Sequence, residues 1–154
     1  MKKRNIKKVK SVYNPELGKS KQQLYRFAHK RVQSSIRKGA HIEAIALLES
    51  IMSDRIESAI SSVTRKPVSA SSLGSLFKTL DKLSPADNDL KALVWDWNES
   101  RGLVIHQMVK LTNDYNSTWA ERVKFARITA QNGLALLPQL RRYTERIIRE
   151  TKNP

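Results

Sequence analysis

The sequence contains no cysteine, and its 154 residues include only five glycines and five prolines. Without cysteine the chain can form neither a disulfide nor a thiolate metal site, which suits a reducing cytoplasm. No long apolar run follows the basic N-terminal residues, so we expect neither a signal peptide nor a membrane span and predict a cytoplasmic protein. The scarcity of glycine and proline, with no recurrent alternating strands, favours an all-α fold.

Few side chains are suited to metal or cofactor chemistry. The chain has three histidines and no pair of histidines or carboxylates at the spacing of zinc ligands. It also has neither a phosphate-binding glycine loop nor a nucleophile elbow. We therefore predict that the protein uses no metal and no cofactor.

Acidic residues are almost missing from the first part of the chain. Residues 1–38 contain 13 lysines and arginines against the single acid Glu16, a net charge of +12, whereas residues 39–154 contain 16 against 13, a net of +3. This asymmetry predicts contact with a polyanion. RNA is the leading candidate, and DNA or an acidic partner protein follows. The alternative is a tail that only keeps the protein in solution. The predicted RNA-binding residues are Lys2, Lys3, Arg4, Lys7, Lys8, Lys10, Lys30, Arg31, Arg37 and Lys38.

Apolar residues recur at helical spacing along the rest of the chain. We predict a basic flexible arm over residues 1–19 and a single helical domain over residues 20–154, folded as a compact, up-and-down bundle of about five helices. The predicted helices cover residues 20–38, 40–63, 72–83, 84–111 and a long C-terminal stretch after Thr118. Pro138 should kink or split this last helix. We expect it to form the central antiparallel pair with the second helix.

The same spacing predicts which side chains face inward. The expected inner face of the first helix is Leu24, Phe27, Ala28, Val32 and Ile36, and that of the last is Trp119, Val123, Ala126, Ala130, Gly133, Leu137, Leu140 and Ile147. Trp95 and Trp97 are expected to be core or dimer contacts, and His41 to be partly exposed. Residues Ser20, Ser84 and Thr118 are the expected helix caps.

One arginine interrupts the apolar face of the fourth predicted helix. Steps of four and three place on one buried face Leu90, Val94, Trp97, Arg101, Val104, Met108 and Leu111. Because a guanidinium is almost never buried without a partner, Arg101 requires a core carboxylate, another anion or a break in the helix. Gly102 costs a helix about 1 kcal/mol relative to alanine, and it leaves room for a phosphate or a second subunit to approach.

His106 follows Arg101 by five residues, about 140° around a continuous helix, so the two side chains of one chain would not meet. Either the helix restarts near Ser100, or two copies of the chain bring the pair together. The pair would then suffice for RNA cleavage, because the 2′-hydroxyl is an internal nucleophile, imidazole moves a proton and guanidinium binds the phosphate. Alternatively, Arg101 pairs with a core carboxylate and His106 is a packing residue.

Residues 97–106, WNESRGLVIH, followed by Lys110, resemble the Arg-x(4–6)-His motif of the HEPN superfamily. These are small all-helical proteins that include many metal-independent ribonuclease toxins. The resemblance covers about residues 20–150, although only the motif is specific. It implies that Arg101 and His106 are catalytic, that the active site is a cleft between two protomers, and that the products carry a 2′,3′-cyclic phosphate and a 5′-hydroxyl.

Asn98, Glu99 and Gly102 are assigned supporting roles, and that of Gly102 is the close approach described above. Asn98 could replace the polar group that family members often carry at the position of Gly102. Glu99, two turns before His106, could orient the imidazole. The alternative for both is ordinary polarity of a helix surface. A second departure from the family is Met108, where one toxin branch has tyrosine.

The leading hypothesis is a metal-independent endoribonuclease of the toxin or antiviral-defence type. It would act on RNA as a homodimer, with an antitoxin or another regulatory protein as a further partner. A first alternative is a catalytically inactive HEPN-like protein that binds RNA or regulates a partner, in which Gly102 marks the lost activity. A second is a helical nucleic-acid-binding scaffold for which the motif has no meaning.

Overall fold

The computed structural model describes residues 17–69, 71–112 and 116–152. In these ranges it contains five α-helices and no β-strand, which confirms the predicted all-α bundle with a long C-terminal helix. The helices are α1 (Leu17–Arg37), α2 (His41–Thr64), α3 (Leu73–Leu83), α4 (Asn88–Gln107) and α5 (Trp119–Lys152). Outside the described residues lie the predicted RNA-binding residues Lys2, Lys3, Arg4, Lys7, Lys8 and Lys10.

Helices α2 and α5 form the centre of the bundle and share its most extensive contact. The predicted pairing is confirmed, but the predicted direction is wrong, because the two helices run parallel. Leu48 lies against Gly133, and farther along both helices Arg55 Nη1 lies 3.7 Å from Glu145 Oε1. The short α3 accounts for the difference. It runs in the same direction as α2, from beside Trp95 and Asn98 to beside Lys91, so α1, α2, α4 and α5 alternate in direction and the second and last helices point the same way.

Helix α1 packs antiparallel to α2. Lys21 lies 2.8 Å from Asp54 near one end, and Arg31 lies 2.8 Å from Glu43 near the other. The Tyr25 hydroxyl also donates to the Asp54 carboxylate. Burial, followed by this hydrogen bond, raises the pKa of Tyr25, so the hydroxyl stays protonated and remains a donor.

The predicted inner face of α1 is only partly correct. The residues that pack inward as expected are Ala28, Val32 and Ile36. Leu24 and Phe27, in contrast, are 66% and 61% exposed. Tyr25 and Ser35 face α2 instead, because their hydroxyls donate to carboxylates on that helix. These polar contacts turn α1 away from the orientation that apolar spacing alone favours.

Helix α4 approaches α5 most closely where Trp97 crosses Gly133. A Cβ atom on Gly133 would lie 2.5 Å from Trp97 Nε1 and 2.9 Å from Leu48 Cδ1, so only glycine fits there without displacement. The indole Nε1 donates a 2.9 Å hydrogen bond to the Thr129 carbonyl oxygen. Gly133 therefore allows α2, α4 and α5 to pack closely at the same height along the bundle. Trp97 lies in the core there, as expected.

The start of α5 agrees with the prediction and two other starts differ. Thr118 and Glu121 cap α5, with Glu121 Oε2 2.6 Å from the Thr118 amide nitrogen. Helix α4 begins after Asp87 and not after Ser84, because an aspartate caps a helix as well as a serine. Helix α1 begins at Leu17, so Ser20 lies within it and residues 17–19 of the predicted arm are helical.

Helix α4 ends at Gln107, four residues before the predicted end. Arg122 of α5 explains this end, because its buried guanidinium donates 2.9 Å hydrogen bonds to the carbonyl oxygens of Gln107 and Met108. Its Nε donates to the Ser117 carbonyl oxygen at 3.1 Å. The carbonyl groups of Gln107 and Met108 are therefore satisfied without a further turn. Leu111, on the predicted apolar face, is 74% exposed.

Helix α5 continues without a break through Pro138, so the predicted split is wrong and the kink stays a prediction. Proline in a helix interior costs about 3 kcal/mol, and the long contact with α2 compensates for it. The predicted inner face is largely buried, but Trp119 is 63% exposed. Arg122 is the buried residue of the first turn instead.

His41 is buried, which corrects the expectation that it is partly exposed. Its Nδ1 has no hydrogen-bond partner within the described part of the chain. Burial, followed by the positive charge of Arg127, lowers the pKa of His41. The folded protein therefore favours the neutral ring.

We expect Gly133→Ala to lower the free energy of unfolding, because the new methyl group would overlap Trp97 and Leu48. Overpacking of this kind costs about 1–3 kcal/mol. The matched control is Gly102→Ala, a helical glycine whose Cβ would meet nothing within 4 Å and whose replacement should stabilise α4 by up to about 1 kcal/mol. Urea denaturation at low micromolar protein measures both. Equal stabilities for the two variants would contradict this account of the α4–α5 contact.

We expect His41 to make the fold less stable in acid. Its pKa is lower in the folded protein than the unfolded value of about 6.5. Below that pH the unfolded chain binds more protons, so stability falls as the pH drops from about 6.5 towards the folded pKa. His41→Gln should flatten the dependence of the melting temperature on pH between about 7 and 5, whereas His29→Gln on α1 serves as a control. An unchanged slope in His41→Gln would show that another group causes it.

Candidate functional site

Residues 97–106, which form the motif, all lie on α4. This is one unbroken helix, Asn88–Gln107. The helix does not restart near Ser100, so that way of bringing Arg101 and His106 together is wrong. Five residues of continuous helix separate the two side chains by about 140° around the axis and about 7.5 Å along it. The structure does not bring them together within one chain.

Arg101 points into the bundle and is paired with a carboxylate. Its Nη1 lies 2.8 Å from Glu49 Oε1 on α2, and the side chains of Arg101 and Glu49 are 13% and 27% exposed. Its Nη2 donates a 3.1 Å hydrogen bond to Asn98 Oδ1. Nε is buried without an acceptor among the described residues. The alternative predicted for Arg101, a core carboxylate, is therefore what the structure contains.

Glu49 is the residue of this cluster that the sequence analysis missed. It follows the buried Leu48 on α2 and so lies at the edge of an apolar face, where a carboxylate would ordinarily be solvated. The unpaired arginine in the sequence pointed to an acid of this kind. Sequence alone did not show which of the acids on α2 lies level with Arg101.

His106 is exposed and lies in the last turn of α4. The alternative in which it is a packing residue is therefore wrong. Glu99 is also exposed, and it forms no salt bridge with any described residue. Because seven residues of helix span about 10.5 Å, Glu99 does not orient the His106 ring within one chain. Asn98, in contrast, contacts the arginine directly, as its supporting role requires.

Glu99, Gly102 and His106 follow one another at steps of three and four, and together they form what we call the open face of α4. Helix α3 covers α4 only as far as Asn98, the residue that precedes the open face. Gly74 of α3 lies beside Trp95 and Asn98, and Asp81 lies 3.2 Å from Lys91, so α3 runs back towards the start of α4. A Cβ on Gly102 would meet nothing within 4 Å. The open face is therefore accessible to another molecule.

His106, at one end of the open face, lies at what we call the cationic end of the bundle. Helices α1 and α4 end there, and α2 and α5 begin there, because residues 38–40 join α1 to α2 and Arg122 holds the end of α4. The exposed cations at this end are Arg37, Lys38, Lys110, Lys124 and Arg127, in addition to Arg31. Arg31 is paired with Glu43, and hydrogen bonds from Arg31 and then Ser35 lower the pKa of that carboxyl group.

Of the four predicted RNA-binding residues that the structure describes, Arg31, Arg37 and Lys38 lie at the cationic end, and Lys30 lies next to Arg31 on α1. All four are exposed. Arg31, Arg37 and Lys38 therefore lie at the same end of the bundle as His106, but α1 and α4 do not contact each other. The positions agree with the predicted binding role without testing it.

A groove of about 250 Å³ lies between α4 and α5, on another side of α4 from His106. Its described lining residues are Leu93, Asp96, Trp97, Ser100, Asn132, Ala135, Leu136 and Gln139. With an aspartate and no cation or histidine, this groove does not suit an anionic ligand. Among the residues that the structure describes, no group of three His, Cys, Asp or Glu side chains could hold a metal ion.

We expect Arg101→Met to destabilise the protein, because the largely buried Glu49 carboxylate would lose its counter-charge. Stranding one member of a buried ion pair costs about 3–5 kcal/mol, and we expect the lower end because Glu49 is partly exposed. The double variant Arg101→Met/Glu49→Leu should recover much of the loss. Urea denaturation of the single and double variants makes this comparison. A single variant as stable as the wild type would mean that the ion pair contributes nothing to the fold.

None of the helices in the described ranges is long and apolar enough to cross a membrane. Comparison of the chain with protein-family models, with curated proteins and with solved structures gave no match. The HEPN resemblance therefore rests on the motif at residues 97–106 and on the helical context alone.

Proposed function

We propose that this protein is a HEPN-like, metal-independent endoribonuclease whose active site forms between two copies of the chain. The observation that carries the proposal is the exposed His106 on the open face of α4, at the cationic end of the bundle. An accessible imidazole beside a surface that attracts phosphates is suited to moving a proton in RNA. Such an enzyme would act on RNA in the cytoplasm, under the control of an antitoxin or another regulatory protein.

The chemistry needs no cofactor. His106 takes the proton from the 2′-hydroxyl, whose oxygen attacks the adjacent phosphorus, or donates a proton to the departing 5′-oxygen. The P–O5′ bond breaks, so one product ends in a 2′,3′-cyclic phosphate and the other begins with a 5′-hydroxyl. A guanidinium beside the phosphate stabilises the charge that develops on its oxygens.

The second copy supplies what one chain does not. Arg101 and His106 of one chain diverge by about 140°, so a phosphate on His106 is out of reach of the same chain's Arg101. Gly102 leaves the centre of the open face without a side chain, which allows two such faces to approach closely. In this proposal Arg101 exchanges the Glu49 carboxylate for a phosphate oxygen, since both are anionic acceptors that match a guanidinium.

A second candidate function is RNA binding or regulation without cleavage. The observation that favours it is the Arg101–Glu49 pair, in which the guanidinium is 13% exposed and already has a carboxylate and an amide as partners. Its positive charge is largely neutralised where it lies. In that case the cationic end would bind RNA, and His106 would be an ordinary surface residue.

Incubation of the protein with mixed RNA in EDTA tests the proposal. We expect cleavage to products with 2′,3′-cyclic phosphate ends, and His106→Ala should slow it about 10²- to 10⁴-fold because proton transfer is lost. The arginine is tested with Arg101→Met/Glu49→Leu, which removes the guanidinium without leaving a stranded carboxylate. Cleavage undiminished by either change would refute the assigned site, and RNA binding without cleavage would support the second candidate.

Mixing the two inactive proteins tests whether the site is shared. A dimer of one His106→Ala chain and one Arg101→Met/Glu49→Leu chain still has one intact arginine and one intact histidine in trans. We therefore expect the mixture to cleave RNA faster than either protein alone. Gly102→Trp, at a position where a Cβ meets nothing within 4 Å, should prevent both dimer formation and cleavage. A cleaving monomer, observed by light scattering, would rule out the shared site.

A further inference from the structure

Phe27 is 61% exposed, although the apolar spacing of α1 places it on the inner face. The hydroxyl contacts of Tyr25 and Ser35 with α2 set the rotation of α1, and this rotation turns the Phe27 ring outward. Leu24, one turn earlier, is 66% exposed for the same reason. The exposed phenyl ring is therefore available for contact with another molecule.

The surroundings of Phe27 are cationic. Lys30 and Arg31 follow it by three and four residues and therefore flank its ring on the helix surface, and both are exposed. Arg26 precedes it and is exposed as well. Within the described residues, the Glu43 carboxylate is the only one that pairs with these cations, and it contacts Arg31. An aromatic ring among lysines and arginines is the arrangement that proteins use to bind single-stranded nucleic acid.

We propose that the outer face of α1 is a docking site for single-stranded RNA, in which an unpaired base stacks on Phe27 and the neighbouring phosphates contact Lys30 and Arg31. This inference rests on the proposed function for its choice of RNA as ligand. It goes beyond that function by naming single strands as the substrate class. The site lies on the helix that carries Arg37 and Lys38 to the cationic end. A strand held on α1 would be directed towards that end.

The preference for a single strand follows from the chemistry of stacking. In a duplex each base is already stacked and paired, so its face is not available to a phenyl ring. An unpaired base gains the contact without losing another. The cations by themselves would bind either form of RNA, so the discrimination between them depends on Phe27.

A second copy of the chain fits this face less well. An exposed fraction of 61% corresponds to about 120 Å² for a phenylalanine, whereas a stable interface buries about 800 Å² on each partner. Besides Leu24, the neighbours of Phe27 are charged or amide side chains. The cations of one copy would also repel those of the other at such a contact.

Fluorescence anisotropy with a labelled 2′-O-methyl RNA 12-mer and the full chain tests the site. This strand cannot be cleaved by attack of its 2′-oxygen, so binding is measured whether or not the protein is a ribonuclease. We expect Phe27→Ala to weaken binding about 5- to 150-fold, the range measured for the loss of one stacked base. Phe27→Tyr should bind almost as the wild type does. Leu24→Ala is the matched control, because it removes a neighbouring exposed apolar side chain that does not stack.

Each outcome of this experiment has a defined meaning. A wild-type-like affinity for Phe27→Ala, or a wild-type protein that does not bind the strand, would overturn the site. Equal losses in Phe27→Ala and Leu24→Ala, with a fall in oligomer mass, would identify the face as a contact between copies. An equal effect of Phe27→Ala on a duplex of the same sequence would refute the single-strand preference. Selective loss of single-strand binding with no cleavage of ordinary RNA would support the docking site and refute the ribonuclease.

Discussion

The indole of Trp97 lies against the backbone of α5 at Gly133, and this contact sets the rotation of α4 about its own axis. Arg101 is one turn farther on the same side, so it has to point into the bundle, where Glu49 receives it. The open face is then turned away from α2 and α5 by the geometry of the helix. The burial of Trp97 against Gly133 thus determines that Arg101 is covered and that the open face is accessible.

The Arg101–Glu49 pair shows how a possible active-site residue can also be part of the fold. A guanidinium in the core is tolerated because a carboxylate and an amide contact its two terminal nitrogens, although Nε has no acceptor among the described residues. The same contacts hold the side chain away from solvent. A role in binding phosphate would therefore compete with a role in stability, and residues that serve function often reduce stability in this way. His106 has no such partner in the part of the chain that the structure describes and is therefore free of this conflict.

The sequence was sufficient for the helices and for the existence of a partner for Arg101, but not for the register between helices. Periodic apolar positions predicted α2 and most of the inner face of α5, because burial dominates there. They failed on α1, where hydrogen bonds from Tyr25 and Ser35 outweigh the apolar pattern. Glu49 could not be identified because the fit of Trp97 to Gly133 determines which residue of α2 lies opposite Arg101 of α4. The parallel direction of α2 and α5 likewise depends on α3 running in the same direction as α2, which the apolar pattern does not show.

Arg122 holds both ends of the connection between α4 and α5, since its guanidinium contacts the carbonyl oxygens of residues 107 and 108 and also that of residue 117. The two helices are thereby joined independently of the chain that runs between them. For a connection with fixed ends, doubling its length costs only about 0.6 kcal/mol in loop-closure entropy. Insertions after Met108 would therefore leave the positions of both helices unchanged. This segment, next to His106, is where the chain could vary in length and acquire new specificity while the bundle stays the same.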